Sequence, residues 1–167
     1  MLKQLILLTT LSLGLWTQLA TASESEEVIL EEVLINADFQ DLNYKKHLLH
    51  FSGNVKVKKG KMSIFADELF VETNEEGESE KLIAKGNLAR FSQEGEDIIA
   101  ISSEALEIVY IVNQEILTFN GKATLKQGSS EVTGDIIKFD LVAQRVRAEG
   151  YETESGQVTT RLKVKKN

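Results

Sequence analysis

Apolar residues alternate with polar ones along most of this chain, and at four points the alternation changes phase within a few residues. Val33, Ile35 and Ala37 are followed by Leu42 and Tyr44; Ile64 and Ala66 by Leu69 and Val71; Ile99 and Ile101 by Leu106, Ile108 and Tyr110; Val132 and Gly134 by Ile137 and Phe139. Side chains on a strand point alternately to opposite faces. A change of phase therefore means that the strand takes up an extra residue and bends, so that its apolar side stays turned to one interior. Asp38, Asp67, Glu104 and Asp135 stand at these corners beside small residues. Such residues suit a bend, because a short carboxylate bonds nearby backbone N–H groups and Ala or Gly leaves room.

Glycines also recur in mid-strand, at Gly53, Gly86, Gly121 and Gly150. An offset of 68 positions aligns LHFSGNVKVKKGKMSIFAD (Leu49 to Asp67) with LTFNGKATLKQGSSEVTGD (Leu117 to Asp135), with Leu, Phe, Gly, Lys, Gly and Asp matching in turn. The chain is internally duplicated, and the finer period of about 30 residues makes each unit an antiparallel hairpin with two bent arms. Helical periodicity is nowhere sustained. The pattern predicts an all-β fold: a twisted antiparallel β-jelly-roll or solenoid-like sandwich of repeated hairpins, two facing sheets open at both ends. The glycines are expected to bend the strands on the edge opposite the acidic corners.

The first 22 residues read as a secretory signal peptide: Lys3, an apolar run from Leu5 to Leu19, then Ala20-Thr21-Ala22 as a small-residue cleavage site. Residues 23–167 then form a single domain, long enough for one core. The chain carries 19 basic against 26 acidic residues, for a net charge of −7, which disfavours nucleic acid as a partner. It has no cysteine and no proline. Stability must come from burial and strand pairing, and the sheet edges lack one common device that blocks pairing with another chain.

The inventory for catalysis is poor. His47 and His50 are the only histidines, and at i, i+3 on a strand they are expected on opposite faces, which argues against a metal site. The acidic corners recur with the repeat, which argues for structure rather than acid–base work. No catalytic residue, cofactor or metal ligand is assigned, and an enzyme is not expected. Lys56, Lys58, Lys59 and Lys61 read as a solvated strand face, with contact to lipid phosphates as the lesser reading.

The combination of cleavable leader, small-Asp corner, FSGNVKVKKG and IFAD about 14 residues after the glycine resembles the OstA-like family of periplasmic lipopolysaccharide-transport domains. The resemblance spans about Val33 to Gly150. It implies a β-jelly-roll that carries the lipid A acyl chains of lipopolysaccharide and joins head to tail with copies of itself. It also implies binding to the OstA-like domains of LptC at the inner membrane and LptD at the outer membrane. LptC retains its N-terminal helix, so cleavage after Ala22 favours the released periplasmic type. By the same resemblance, Val33, Ile35, Phe91, Ile108, Tyr110 and Val112 are lipid-contact candidates, and Leu42, Phe51 and Phe119, apolar and in the inward phase, are counted with them. The alternative is a structural β-module, or an OstA-like domain of the LptC type, that assembles through its edges without carrying lipid.

The terminal segments are the expected interface. VILEEVLIN (Val28 to Asn36) reads as the first strand and GQVTTRLKVKK (Gly156 to Lys166) as the last, the first acidic and the last basic. Pairing of the two edges would involve Val28, Ile29 and Leu30 on one side and Thr160, Arg161, Leu162, Lys163 and Val164 on the other. The opposing possibility is that the lysines act as gatekeepers that block such pairing.

Overall fold

The structure is a computed structural model that describes residues 32–96, 99–150 and 156–163. Ten strands follow one another: β1 (Val33–Asn36), β2 (Phe39–Asn43), β3 (Leu48–Lys59), β4 (Met62–Thr73), β5 (Ser79–Gln93), β6 (Ile101–Ile111), β7 (Ile116–Gln127), β8 (Ser130–Asp140), β9 (Arg145–Glu149) and β10 (Thr159–Leu162). Short 3-10 turns at Tyr44–Lys46 and Val112–Gln114 join β2 to β3 and β6 to β7. All neighbours are antiparallel, in the order β1-β3-β4-β5-β6-β7-β8-β10, with β2 added to β3 and β9 to β8. The two facing layers are thus halves of one continuous ladder rather than separate sheets. The expected jelly-roll is a single sheet folded on itself.

The fold line is a seam of register shifts. It passes between Ser52 and Val55 on β3, Phe65 and Glu68 on β4, Lys85 and Ala89 on β5, Glu104 and Glu107 on β6, and Asn120 and Ala123 on β7. At the two ends the seam divides the edge itself. β1 pairs with the second half of β3 and β2 with the first, and β8 is flanked by β10 on one half and β9 on the other.

Corners and glycines lie side by side on this seam, not on opposite edges as the sequence suggested. The Asp38 N–H donates to the Gly53 carbonyl at 2.9 Å, and a Cβ built on Gly53 would lie 2.6 Å from Asp38 Oδ2. Gly86 meets Asp67 and Gly121 meets Leu106 in the same way, and Gly134 lies against the Glu149 carbonyl. One strand of each unit thus supplies a bend that needs room, and its neighbour supplies that room. Gly53 and Asn54 both adopt left-handed backbone (φ 77° and 47°), as do Gly121 and Lys122 (φ 74° and 51°). The duplication therefore extends to the dihedral angles. Glycine enters that region without the Cβ penalty and Asn tolerates it, which turns a strand sharply within two residues.

The phase changes are real. On β4 Met62 and Ile64 are buried before the seam and Leu69 and Val71 after it; on β6 the switch runs from Ile101, Ser103 and Ala105 to Ile108 and Tyr110. Both sets join one apolar cluster. Among the described residues the first strand begins at Val33, and Thr159–Leu162 of the last pair with β8, with Lys163 outside the strand but donating its N–H to the Ser129 carbonyl at 3.4 Å. Val28, Ile29, Leu30 and Val164 lie outside the described residues, as does the leader at residues 1–22. His47 is not on a strand: it follows the Tyr44–Lys46 turn in left-handed backbone (φ 52°). No helix among the described residues is long and apolar enough to cross a membrane.

Candidate functional site: an apolar interior with a side-chain lip

Folding an alternating sheet along one seam turns every inward side chain of both halves into a shared interior. Phe51, Phe91, Ile108, Tyr110 and Phe119 are buried in it, and Val33, Ile35, Leu42 and Val112 pack against it from the edge strands and a turn. All nine lipid-contact candidates are therefore brought to one place. The halves touch through aromatic rings: Phe91, beyond the seam on β5, and Phe119, before it on β7, have centroids 5.8 Å apart at 58°. Ser103 is the buried polar side chain of this region, and it donates to the Thr124 carbonyl at 2.7 Å, so its burial is compensated.

Opposite the seam, the hairpin ends of the two halves meet and form a lip. Lys59 ends β3 on one half, and its Nζ lies 3.3 Å from the Tyr110 hydroxyl and 3.9 Å from Glu115 Oε1 on the other half. Farther along, Gln127 Nε2 donates to Gln144 Oε1 at 3.5 Å. Between these tips opens a cavity of about 470 Å³ lined by Lys59, Lys61, Met62, Tyr110, Glu115 and Leu141 among others. Of these, only Tyr110 was singled out in the sequence as an inward contact; Leu141 and Glu115 sit in turns, where alternation carries no signal.

The edges carry the second candidate site. Among the described residues, no further strand pairs with the outer sides of β1 and β2 or of β9 and β10. Thr160, Arg161, Leu162 and Lys163 are exposed there, but Arg161 already holds Glu131 at 2.8 Å. One of the charges expected to steer an incoming edge is therefore engaged within the molecule. Gly150, read from the sequence as lying in mid-strand, instead follows the end of β9, whose Arg145 and Arg147 give the other half of that edge a basic character of its own.

A bent antiparallel sheet with a continuous apolar interior and unpaired ends defines an OstA-like β-jelly-roll. The sequence matches the family described as "LptA/(LptD N-terminal domain) LPS transport protein" over residues 34–145, and the chain belongs to that family. It is LptA-like in particular. It is 27% identical over 145 residues to "Lipopolysaccharide export system protein LptA" of Haemophilus influenzae, spanning 86% of this chain and 83% of that protein. With the protein of the same name from Escherichia coli K12 it shares 28% over 134 residues, spanning 79% of this chain and 71% of that protein. The fold matches the crystal structure of LptH, "the LptA homologous periplasmic component of the conserved lipopolysaccharide transport device from Pseudomonas aeruginosa". The TM-score is 0.73 at 20% identity, covering 80% of this chain and 96% of that one.

Proposed function

We propose that this chain is a non-enzymatic periplasmic carrier of lipopolysaccharide, exported by a leader cleaved after Ala22 and working as a single domain over residues 23–167. The observation that carries the reading is the interior: one apolar space enclosed between two halves of a single sheet, with side-chain contacts fastening the lip among the described residues. Acyl chains enter by parting the lip and lie against Val33, Ile35, Leu42, Phe51, Phe91, Ile108, Tyr110, Val112 and Phe119. Each CH₂ buried contributes about 0.8 kcal/mol toward the cost of separating the halves. The names of the Haemophilus influenzae and Escherichia coli relatives as lipopolysaccharide export proteins support the cargo. A photo-reactive residue at Tyr110 is expected to crosslink lipopolysaccharide and one at outward-facing Lys56 is not; equal labelling at both would reject an interior slot.

The carrier bridges the two membranes by head-to-tail pairing of its edges, β9 and β10 of one copy against β1 and β2 of the next, and of the terminal copies with the OstA-like domains of LptC and LptD. Rows of unpaired N–H and C=O groups support such a contact, which repeats without closing. Deleting Thr159 to Asn167 is expected to abolish concentration-dependent oligomers in sedimentation while the monomer stays folded. Undiminished assembly of the truncated chain would place the interface elsewhere.

The packed state of the interior favours a second reading, a structural β-module that assembles through its edges and carries nothing. Mass spectrometry of organic extracts from the purified periplasmic protein separates the two: acylated glycolipid in stoichiometric amount supports the carrier, and its absence supports the module.

A further inference from the structure

The lysines that sit together in the sequence part company in the fold. Lys56 and Lys58 lie on the outer face and are exposed, whereas Lys59 and Lys61 line the lip cavity. Only 13% of the Lys59 side chain is exposed, and its Nζ stands 5.8 Å from the centroid of the Tyr110 ring. Met62, Leu141 and Tyr110 give the same cavity an apolar part of its lining, beside the polar Gln93 and Glu115. Two cations and apolar side chains lining one cavity are complementary to an amphiphile with an anionic head. Glu115 is a carboxylate of this cavity lining that meets Lys59. Its contact with Lys59 is long at 3.9 Å and its own side chain is 46% exposed, so an arriving phosphate, with more charge and more acceptor oxygens, competes for the ammonium on favourable terms.

We infer that Lys59 and Lys61 form a binding site for the phosphate of an acylated headgroup, and that its capture draws Lys59 away from Glu115 and unfastens the two hairpin tips. The inference rests on the proposed lipid carriage, to which it adds a point of entry and a trigger. Anchoring of the head at the lip places the acyl chains directly over the interior that Tyr110 closes.

The test measures binding of three probes to the full mature chain by isothermal calorimetry: detergent-dispersed bisphosphorylated lipid A, the same lipid after enzymatic dephosphorylation, and inorganic phosphate. Lys59→Gln is expected to weaken binding of the phosphorylated lipid about tenfold and to leave the dephosphorylated lipid within about twofold. Glu115→Gln, which removes one competing carboxylate and keeps Lys59, is expected to tighten the phosphorylated lipid only; a merely structural ion pair would predict no gain. Lys58→Gln, one residue away on the outer face, is the control and leaves both lipids unchanged. Equal losses for both lipids in Lys59→Gln, or no gain in Glu115→Gln, would overturn the headgroup site while leaving lipid carriage intact. Binding of inorganic phosphate as tight as that of the phosphorylated lipid would assign the site to the free anion. If the native chain binds neither lipid, carriage and headgroup site fall together.

Discussion

The seam and the lip are the two long borders of the same interior, and they are built in opposite ways. At the seam, backbone makes the closure: register shifts run through five successive strands, left-handed residues turn the chain, and a corner of one strand fills the space a glycine leaves in the next. At the lip, side chains make it: an ammonium near a phenol and a carboxylate, and one amide pair at 3.5 Å. Backbone ladders open cooperatively and at high cost, whereas a single side-chain hydrogen bond contributes about 1 kcal/mol. A sheet folded this way has a fixed hinge on one side and a side-chain closure on the other, and the lip is the border at which the proposed cargo would enter.

The largest expected effect comes from locking the weak side. Because the chain has no cysteine, Gln127→Cys and Gln144→Cys can be joined by a short bis-maleimide linker across the lip. Linked protein is expected to lose lipopolysaccharide uptake entirely, while the unlinked double variant loads as the native chain does. Uptake through a linked lip would move the entry to the end edges.

On the strong side, Gly53→Ala is expected to cost about 3 kcal/mol in urea unfolding, because it combines a left-handed backbone with a Cβ thrust into Asp38. Gly77→Ala separates the two causes. Gly77 shares the positive φ (85°) but has nothing within 4 Å, so a loss of only about 1 kcal/mol is expected there. Equal losses would mean that the seam's interlocking contributes nothing beyond conformation.

Asp67→Ala removes the carboxylate that accepts from the Asn87 N–H at 3.0 Å, and about 1 kcal/mol should be lost. The smallest change belongs to the lip: Gln144→Ala is expected to alter stability by less than about 0.5 kcal/mol. A lip variant that destabilises the fold as much as Gly53→Ala would erase the distinction between hinge and closure.

The seam was legible in the sequence because a strand's period of two makes any inserted residue visible as a change of phase. Ile64 against Leu69 and Ile101 against Ile108 located it to within a few residues. The partnership of Asp38 with Gly53 was not legible, since it depends on which corner lies beside which glycine across the ladder. The uniform reading of the four acidic corners also simplified the outcome: Asp67 bonds a backbone N–H, Asp38 Oδ2 accepts from the Asn54 side chain at 2.7 Å, and the third corner is filled by Leu106. Of the terminal edge, the sequence marked Thr159–Leu162 and a strand around Gly150, but β9 ends at Glu149 and Gly150 follows it, because a five-residue alternation does not fix where a strand stops.

What the sequence determined by itself is local and periodic: strand identity, the places where strands bend, the inward set that includes Phe51, Phe91, Tyr110 and Phe119, and the repeat that makes one unit predict the next. What only the tertiary structure decided is which ends meet. Lys59 and Tyr110 are 51 residues apart, and their contact exists because the sheet folds along its seam and brings the end of β3 over the end of β6. Alternation tells a side chain's face and nothing about what lies across an interior, so Lys58 and Lys59 look alike in the chain and differ in the fold.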